Sequence, residues 1–311
     1  MLWNGEKGAL TGCNFINNSA TNFGGGVRWD GANGILTNSS FISNTASTHS
    51  GGVYWNGANG ILTNCTFIGN TADSRGGGIL WNAANGILTN SKFINNIAKS
   101  NNGGGVYWTG ANGTLTNSTI TDNIAEYGGG GVEWRGANGT ISSSTFNGNT
   151  ANVGGAIDLV GANSMIFNCN FINNTAKDAG GAVYWQAING NLSKSNFTSN
   201  FGNSSGGAVY WRGVNGTLTE SIFNNNVAGD IGGAIRWNAA NGTVSNSIFN
   251  SNTAGLNGGA ICWNGANSTM PNCNFMNNHA INGNNIYWVW TVTEFLNEYN
   301  KIHDYDYVNI I

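Results

Sequence analysis

Apolar and polar positions alternate along this chain in short runs that return about every 26 residues. In Val27-Arg28-Trp29 the two outer residues are apolar and the middle one is polar, which is the pattern of a strand with one buried face. Gly31-Ala32-Asn33-Gly34 follows as a corner, because Asn and Gly tolerate the positive φ of tight turns. Leu36 and Phe41 mark two further inward positions. Each repeat is therefore predicted to contain three short strands.

These columns of equivalent residues persist almost to the end of the chain. The Trp column occupies positions 3, 29, 55, 81, 108, 134, 185, 211, 237, 263 and 288, with Leu159 in the one gap. A fixed period of this length is typical of a solenoid, in which each unit packs only on its neighbours. We predict an all-β fold, a right-handed single-stranded parallel β-helix of about twelve coils over residues 1–288. The Val, Trp, Leu and Phe columns should face inward.

Two Asn columns and the final segment add detail to this prediction. One Asn lies at the corner, as in Asn33, and the other lies three residues after the Phe column, as in Asn44. Stacked side-chain amides can hydrogen-bond along the rod as a ladder. After Trp288 the repeat fails, and residues 289–311 are predicted to form a capping segment with an amphipathic helix. Such a cap would cover the last sheet edges.

Composition limits the class of protein. Charged residues make up 8% of the 311 residues, and the net charge is −3. A chain without a basic excess is not expected to bind nucleic acid. It has no apolar run near the ~18 residues of a membrane span, and no secretion signal or anchor is recognisable. We interpret the chain as a fragment of a longer extracellular protein, either monomeric or joined to further sequence, with its five cysteines as free thiols.

Short motifs in the repeats resemble known surface proteins. Gly154-Gly-Ala-Ile157 and Gly258-Gly-Ala-Ile261, together with Phe171-Ile-Asn-Asn174, resemble the GGAI/FxxN repeats of chlamydial polymorphic outer membrane proteins. The longer unit in residues 206–226 is similar to adhesin-like surface proteins of methanogenic archaea. The resemblance implies a β-helix at the cell surface that acts in adhesion or in cell-wall architecture. It brings no catalytic residues to this chain.

One group of residues is a candidate site. Glu133 and Asp158 hold the same position on consecutive coils, between the Val and Trp columns, so they should face outward about 5 Å apart. Arg135 lies beside them, and three tyrosines continue the same face: Tyr107, Tyr184 and Tyr210. Leu159 replaces Trp next to this group and could open a local gap. Tyrosine faces beside charged groups are typical of carbohydrate binding.

Three interpretations of this group stay open. It could bind a surface glycan or cell-wall polysaccharide, it could be a solvated strand face, or Glu133 and Asp158 could be the carboxylate pair of a polysaccharide lyase or glycosidase. The expected function is an adhesin-like or structural stalk that binds carbohydrate or a surface protein through its outward strand faces and variable loops and is not an enzyme. The three histidines share no column, so we predict no metal and no cofactor.

Overall fold

The chain winds as a parallel β-solenoid in a computed structural model that describes residues 1–290 and 307–310. Sheet C, the sheet that contains the Phe column, has 11 strands, so the solenoid has about eleven turns rather than the twelve predicted. Equivalent residues lie about 26 positions apart and pair across neighbouring turns, as Val53 does with Ile79 and Trp55 with Trp81. No helix occurs among the described residues. The predicted all-β parallel β-helix is confirmed.

Most turns contribute one strand to each of four parallel sheets. Sheet A comprises Leu2–Trp3, Val27–Trp29, Val53–Trp55, Ile79–Trp81, Val106–Trp108, Val132–Trp134, Ile157–Leu159, Val183–Trp185, Val209–Trp211, Ile235–Trp237, Ile261–Trp263, Ile286–Trp290 and Tyr307–Ile310. Sheet B comprises Ala9–Thr11, Ile35–Thr37, Ile61–Thr63, Ile87–Thr89, Thr114–Thr116, Thr140–Ser142, Met165–Phe167, Asn191–Ser193, Thr217–Thr219 and Thr243–Ser245. Sheet C comprises Asn14–Ile16, Ser40–Ile42, Thr66–Ile68, Lys92–Ile94, Thr119–Thr121, Thr145–Asn147, Asn170–Ile172, Asn196–Thr198, Ile222–Asn224, Ile248–Asn250 and Asn274–Met276. Sheet D comprises Ser19–Ala20, Thr45–Ala46, Thr71–Ala72, Ile97–Ala98, Ile124–Ala125, Thr150–Val153, Thr175–Ala179, Phe201–Gly202, Val227–Ala228 and Thr253–Ala254.

Sheet D is a fourth strand position that the sequence analysis did not predict. Most of its strands have only two residues, such as Thr45–Ala46, which pairs with Thr71–Ala72. The alanine points into the core and is nearly fully buried. Two residues are too few to show an alternating pattern, so this fourth strand could not be recognised from the sequence. The expectation of three strands per turn was therefore wrong.

Stacked aromatic rings fill the core. The indoles of neighbouring turns stack almost parallel, with centroids 4.7 Å apart between Trp55 and Trp81. The phenyl rings form a second stack, with 4.6 Å between Phe67 and Phe93. All four of these side chains are fully buried. The predicted inward register of the Trp and Phe columns is confirmed, and it leaves the residue between Val and Trp on the outside of sheet A.

The buried Asn column is a continuous ladder. Asn123 donates from Nδ2 to Asn149 Oδ1 at 3.0 Å and to the carbonyl of Phe93 at 2.9 Å. Its own Oδ1 accepts from the backbone N and the Nδ2 of Asn96, both at 2.9 Å. The corner Asn column is exposed and donates in the opposite direction along the rod, as Asn112 does to Asn85 at 3.1 Å. Both predicted ladders are present.

The last strands differ from the predicted capping segment. Residues 289 and 290 do not begin a helix but extend the strand Ile286–Trp290, since they continue the sheet A pairing. Tyr307–Ile310 adds another parallel strand beside it. The helix predicted between these strands lies outside the described residues.

Candidate binding face on the outside of sheet A

The candidate site lies on the outer side of sheet A. In Val53-Tyr54-Trp55 the first and third side chains are fully buried, so the middle one points outward by strand alternation. Beside this column runs a rim, which consists of the residue directly before the loop position with positive φ, a position that is Ser50 in one turn and glycine in the others, such as Gly24 and Gly76. Neighbouring rim residues pair as isolated parallel bridges, as His49 does with Phe23 and Arg75. We call the outward column, the rim and the residue after each Trp the sheet A face.

The middle of this face is much less exposed than the sequence analysis expected. The exposed fractions of four candidate residues are only 5% for Tyr107, 0% for Glu133, 4% for Asp158 and 9% for Tyr184. The rim causes this burial, because the backbone reverses at a glycine with positive φ and passes close to the outward column. A Cβ on Gly103 would lie 2.9 Å from the Cβ of Tyr107. The expectation that these four side chains are freely exposed was wrong.

Glu133 and Asp158 form a buried carboxyl pair. They are direct partners on adjacent turns, as their shared column predicted. Arg135 donates from Nη1 to Glu133 Oε1 at 3.0 Å, and Gln186 donates from Nε2 to Asp158 Oδ1 at 2.8 Å. Gly128 covers the pair, since a Cβ there would lie 2.5 Å from Asp158 Oδ2. This rim position must therefore lack a side chain for the two carboxyl groups to fit.

Burial dominates the electrostatics of the pair. Removal from water raises the pKa of Glu133 well above its usual range, and the neighbouring charge of Asp158 raises the pKa further. Arg135 only partly opposes this effect. Burial also raises the pKa of Asp158, although the hydrogen bond from Gln186 opposes it. Glu133 Oε2 is buried without a hydrogen-bond partner among the described residues, so the ionised form of this carboxyl group is poorly stabilised.

The other candidate residues lie along the same face but not in one compact site. Arg135 is the most exposed of the group, with 44% of its side chain accessible. Two and three turns beyond Arg135, the rings of Tyr184 and Tyr210 meet edge to face at 5.2 Å. Arg212 donates from Nη1 to the hydroxyl of Tyr184 at 2.7 Å. The six predicted residues are thus brought onto one surface that extends along the rod.

Other polar and aromatic residues lie on the sheet A face that were not predicted as site residues. The Arg28 guanidinium lies 5.5 Å from the ring centroid of Phe23 and 5.8 Å from that of Tyr54. Arg75 lies 5.2 Å from the ring centroid of Tyr107. The signal was present in part, because Arg28 and Tyr54 share the column of Glu133. The rim residues Phe23 and Arg75 belong to loops of varying length, so their column was not evident.

Leu159 does not mark an opening toward the site. It is fully buried and pairs in register with Trp134 and Trp185 on either side. The residue five positions after it is Ser164, where the turns with Trp134 and Trp185 have Gly139 and Gly190. The core is therefore continuous through this turn, and the expectation of a local gap beside Leu159 was wrong.

Metal-ligand clusters and membrane-spanning helices are two features that the described residues lack. No three His, Cys, Asp or Glu side chains in residues 1–290 come together as metal ligands would. The described part of the chain also contains no helix long and apolar enough to cross a membrane.

The fold defines the chain as a parallel β-solenoid repeat protein, and three of its segments match a known family. Residues 64–80, 143–159 and 168–184 match the Chlamydia polymorphic membrane protein repeat. Each matched segment includes a Phe of sheet C and the Gly-Gly pair before the next sheet A strand. The match suggests a surface or outer-membrane type of β-helix protein. No curated protein sequence matches the chain.

Proposed function

We propose that this chain is the β-helical stalk of a cell-surface protein that acts in adhesion or in the architecture of the cell wall. Support comes from the three matches to the polymorphic membrane protein repeat and from the regular solenoid. The resemblance to adhesin-like archaeal proteins indicates the same role and stays a prediction.

The observation that carries this proposal is the contrast between inner and outer columns. Inside, Trp stacks on Trp and Phe on Phe through most turns. On the sheet A face the outward residue changes at nearly every turn, from Arg28 through Tyr54 and Leu80 to Tyr107 and Glu133. A purely structural rod has no need for Arg and Tyr at these positions, whereas both are favoured where a surface binds a partner. We infer that this face binds surface glycans, cell-wall polysaccharide or a surface protein.

The burial of the carboxyl pair supports a role other than catalysis. A glycosidase holds its two carboxyl groups about 5–9.5 Å apart on either side of the substrate. Here Glu133 is fully buried, and Gly128 lies directly over the pair, so no substrate can lie between the two carboxyl groups. We therefore propose that the pair has no catalytic role and that the chain is not a polysaccharide lyase or glycosidase. Release of reducing ends or unsaturated products from a panel of polysaccharides would overturn this part of the proposal.

A glycan array tests the binding role. The intact chain is compared with an Arg135→Ala/Tyr210→Ala variant, because both residues belong to the sheet A face and are accessible. The control is Ile68→Ala/Lys92→Ala, which removes one apolar group and one cation from sheet C. We expect glycan binding that the first variant loses and the control keeps. Equal loss in both variants would remove the support for this face, and binding by neither parent nor control would argue against a carbohydrate-binding stalk.

A further inference from the structure

The arginines of this chain are confined to the sheet A face. The sequence contains five arginines and six lysines. Arg28 and Arg236 lie in the outward column, Arg135 and Arg212 follow a Trp, and Arg75 lies on the rim over Tyr107. The five described lysines lie in corners, loops, sheet C or sheet D, at positions 7, 92, 99, 177 and 194. The two kinds of cation are thus sorted onto different surfaces of the rod.

Only two of these arginines have a carboxylate partner among the described residues. Arg28 pairs with Asp30 at 2.8 Å, and Arg135 pairs with Glu133 at 3.0 Å. Arg75 and Arg212 contact tyrosines instead, through the ring of Tyr107 and the hydroxyl of Tyr184, respectively.

Arg236 and His49 are the other basic residues of the sheet A face. Arg236 contacts the Sγ of the buried Cys262. His49 is not counted as a cation, because burial and the nearby Arg75 lower its pKa.

The sheet A face is therefore positive on a chain that is negative overall. Five guanidinium groups face three carboxyl groups, those of Asp30, Glu133 and Asp158. The whole chain has a net charge of −3. Among residues 1–290, the other surfaces have five lysines and seven Asp or Glu side chains, which is a small excess of negative charge. Such an asymmetry favours an anionic partner on one side of the rod.

The spacing and chemistry of the arginines indicate what kind of anion fits. They recur every one to three turns, which at about 4.8 Å per turn is a sparse line of charge. Double-stranded DNA has one negative charge per about 1.7 Å, which is far denser. Guanidinium groups form paired hydrogen bonds with carboxylate and sulfate, and flat tyrosine rings between them can pack on sugar faces. An extended polysaccharide with acidic groups on some of its sugars combines these features.

We infer that the sheet A face binds an acidic polysaccharide, whose uronate or sulfate groups pair with the arginines while its sugars lie on the half-buried rings of Tyr54 and Tyr210. The inference rests on the proposed function and specifies the class of glycan. The polymer would lie along the rod axis, because the arginines extend from the second turn to the tenth.

Binding to a set of polymers tests this inference. The 311-residue chain is applied to immobilised polygalacturonate, a sulfated dextran, unmodified dextran and single-stranded DNA. We expect binding to one or both acidic polysaccharides, weakening as salt rises, and little binding to neutral dextran or DNA. Polygalacturonate and sulfated dextran distinguish carboxylate from sulfate as the recognised group. Equal binding to DNA would instead indicate a general anion-binding face, and the inference would be wrong.

Matched substitutions connect the binding to the arginines. Arg75→Gln/Arg212→Gln removes two guanidinium groups that have no carboxylate partner, and we expect affinity to fall at least tenfold. Lys92→Gln/Lys194→Gln removes the same charge away from the face and should change affinity less than twofold. Similar losses in the two variants would show nonspecific electrostatics and contradict the inference. If neutral dextran binds and the arginine variant is unaffected, the proposed stalk function stands while the acidic-glycan inference fails. If no glycan binds, the inference fails together with the carbohydrate-binding part of the proposed function.

Discussion

Glu133 makes stability depend on pH in a direction opposite to that of an ordinary paired carboxylate. Because its pKa is raised in the folded chain, the folded state keeps a proton that the unfolded chain has lost above its pKa of about 4.3. The free energy of unfolding should therefore be greatest at or below that pH and fall as the pH rises toward the folded pKa. Glu133→Gln removes the titrating group and keeps an oxygen for Arg135. We expect its melting temperature to exceed that of the parent by a margin that grows from pH 5 to pH 8.

The matched control for this prediction is Glu126→Gln. Glu126 is exposed, and its nearest cation, Lys177, is 3.9 Å away. A surface pair of this kind contributes little to stability, so the control should follow the parent at every pH. A parent that becomes more stable between pH 5 and pH 8, with Glu133→Gln less stable throughout, would mean that both carboxylates are ionised and well solvated by their partners.

The candidate site shows which residue-level features could be predicted. Strand alternation placed Glu133 and Asp158 as neighbours in one column, and they are partners in the sheet. Their burial could not be predicted, because it depends on a loop backbone that passes over them at Gly128. Loop length varies between repeats, so sequence periodicity carries no information about how closely the rim approaches. For the same reason Arg75 was not assigned to the face.

At the scale of the strand and its ladder, Asn123 of the buried ladder should contribute far more to stability than Asn112 of the exposed ladder. Asn123→Ala removes two donated hydrogen bonds and leaves the buried amide donors of Asn96 without their acceptor. Unpaired buried groups cost more than the bonds themselves contribute, so we expect a loss of about 3–5 kcal/mol. The melting temperature, or hydrogen exchange of the adjacent turns, measures this loss.

Asn112→Gly is the control from the same turn. Asn112 has a φ of 55°, which glycine adopts readily, and its ladder bonds are exposed. The cost should stay below about 1 kcal/mol. Comparable losses in the two variants would mean that the buried ladder contributes no more than the exposed one. The sequence predicted both ladders, but only the structure shows that one is buried and that the two run in opposite directions.

At the scale of the whole rod, Leu159 divides the indoles into two stacks. From Trp3 to Trp237, the glycine five residues after each Trp has no room for a side chain. Trp263 is followed by Ser268 instead, but Ser268 is half-buried, whereas Ser164 is buried. A Cβ on Gly139 would lie 2.0 Å from Trp134 Nε1, and one on Gly190 would lie 2.4 Å from the Trp185 indole. In the Leu159 turn this residue is Ser164, whose Oγ donates to the carbonyl of Gly161 at 2.7 Å. The smaller Leu159 and the larger Ser164 thus compensate for each other.

This compensation predicts a strong coupling between two substitutions. Leu159→Trp alone places an indole against the Ser164 side chain and should destabilise the chain by about 1–3 kcal/mol, as overpacking does. Ser164→Gly alone loses a buried hydrogen bond and packing. The double variant recreates the Trp–Gly pair of the neighbouring turns and joins the two stacks from Trp3 to Trp288, so its stability should exceed the sum of the single effects by at least about 1 kcal/mol. Thermal unfolding of the four proteins measures the coupling. Additive losses would mean that Leu159 and Ser164 are independent, and that the interruption of the stack has another cause.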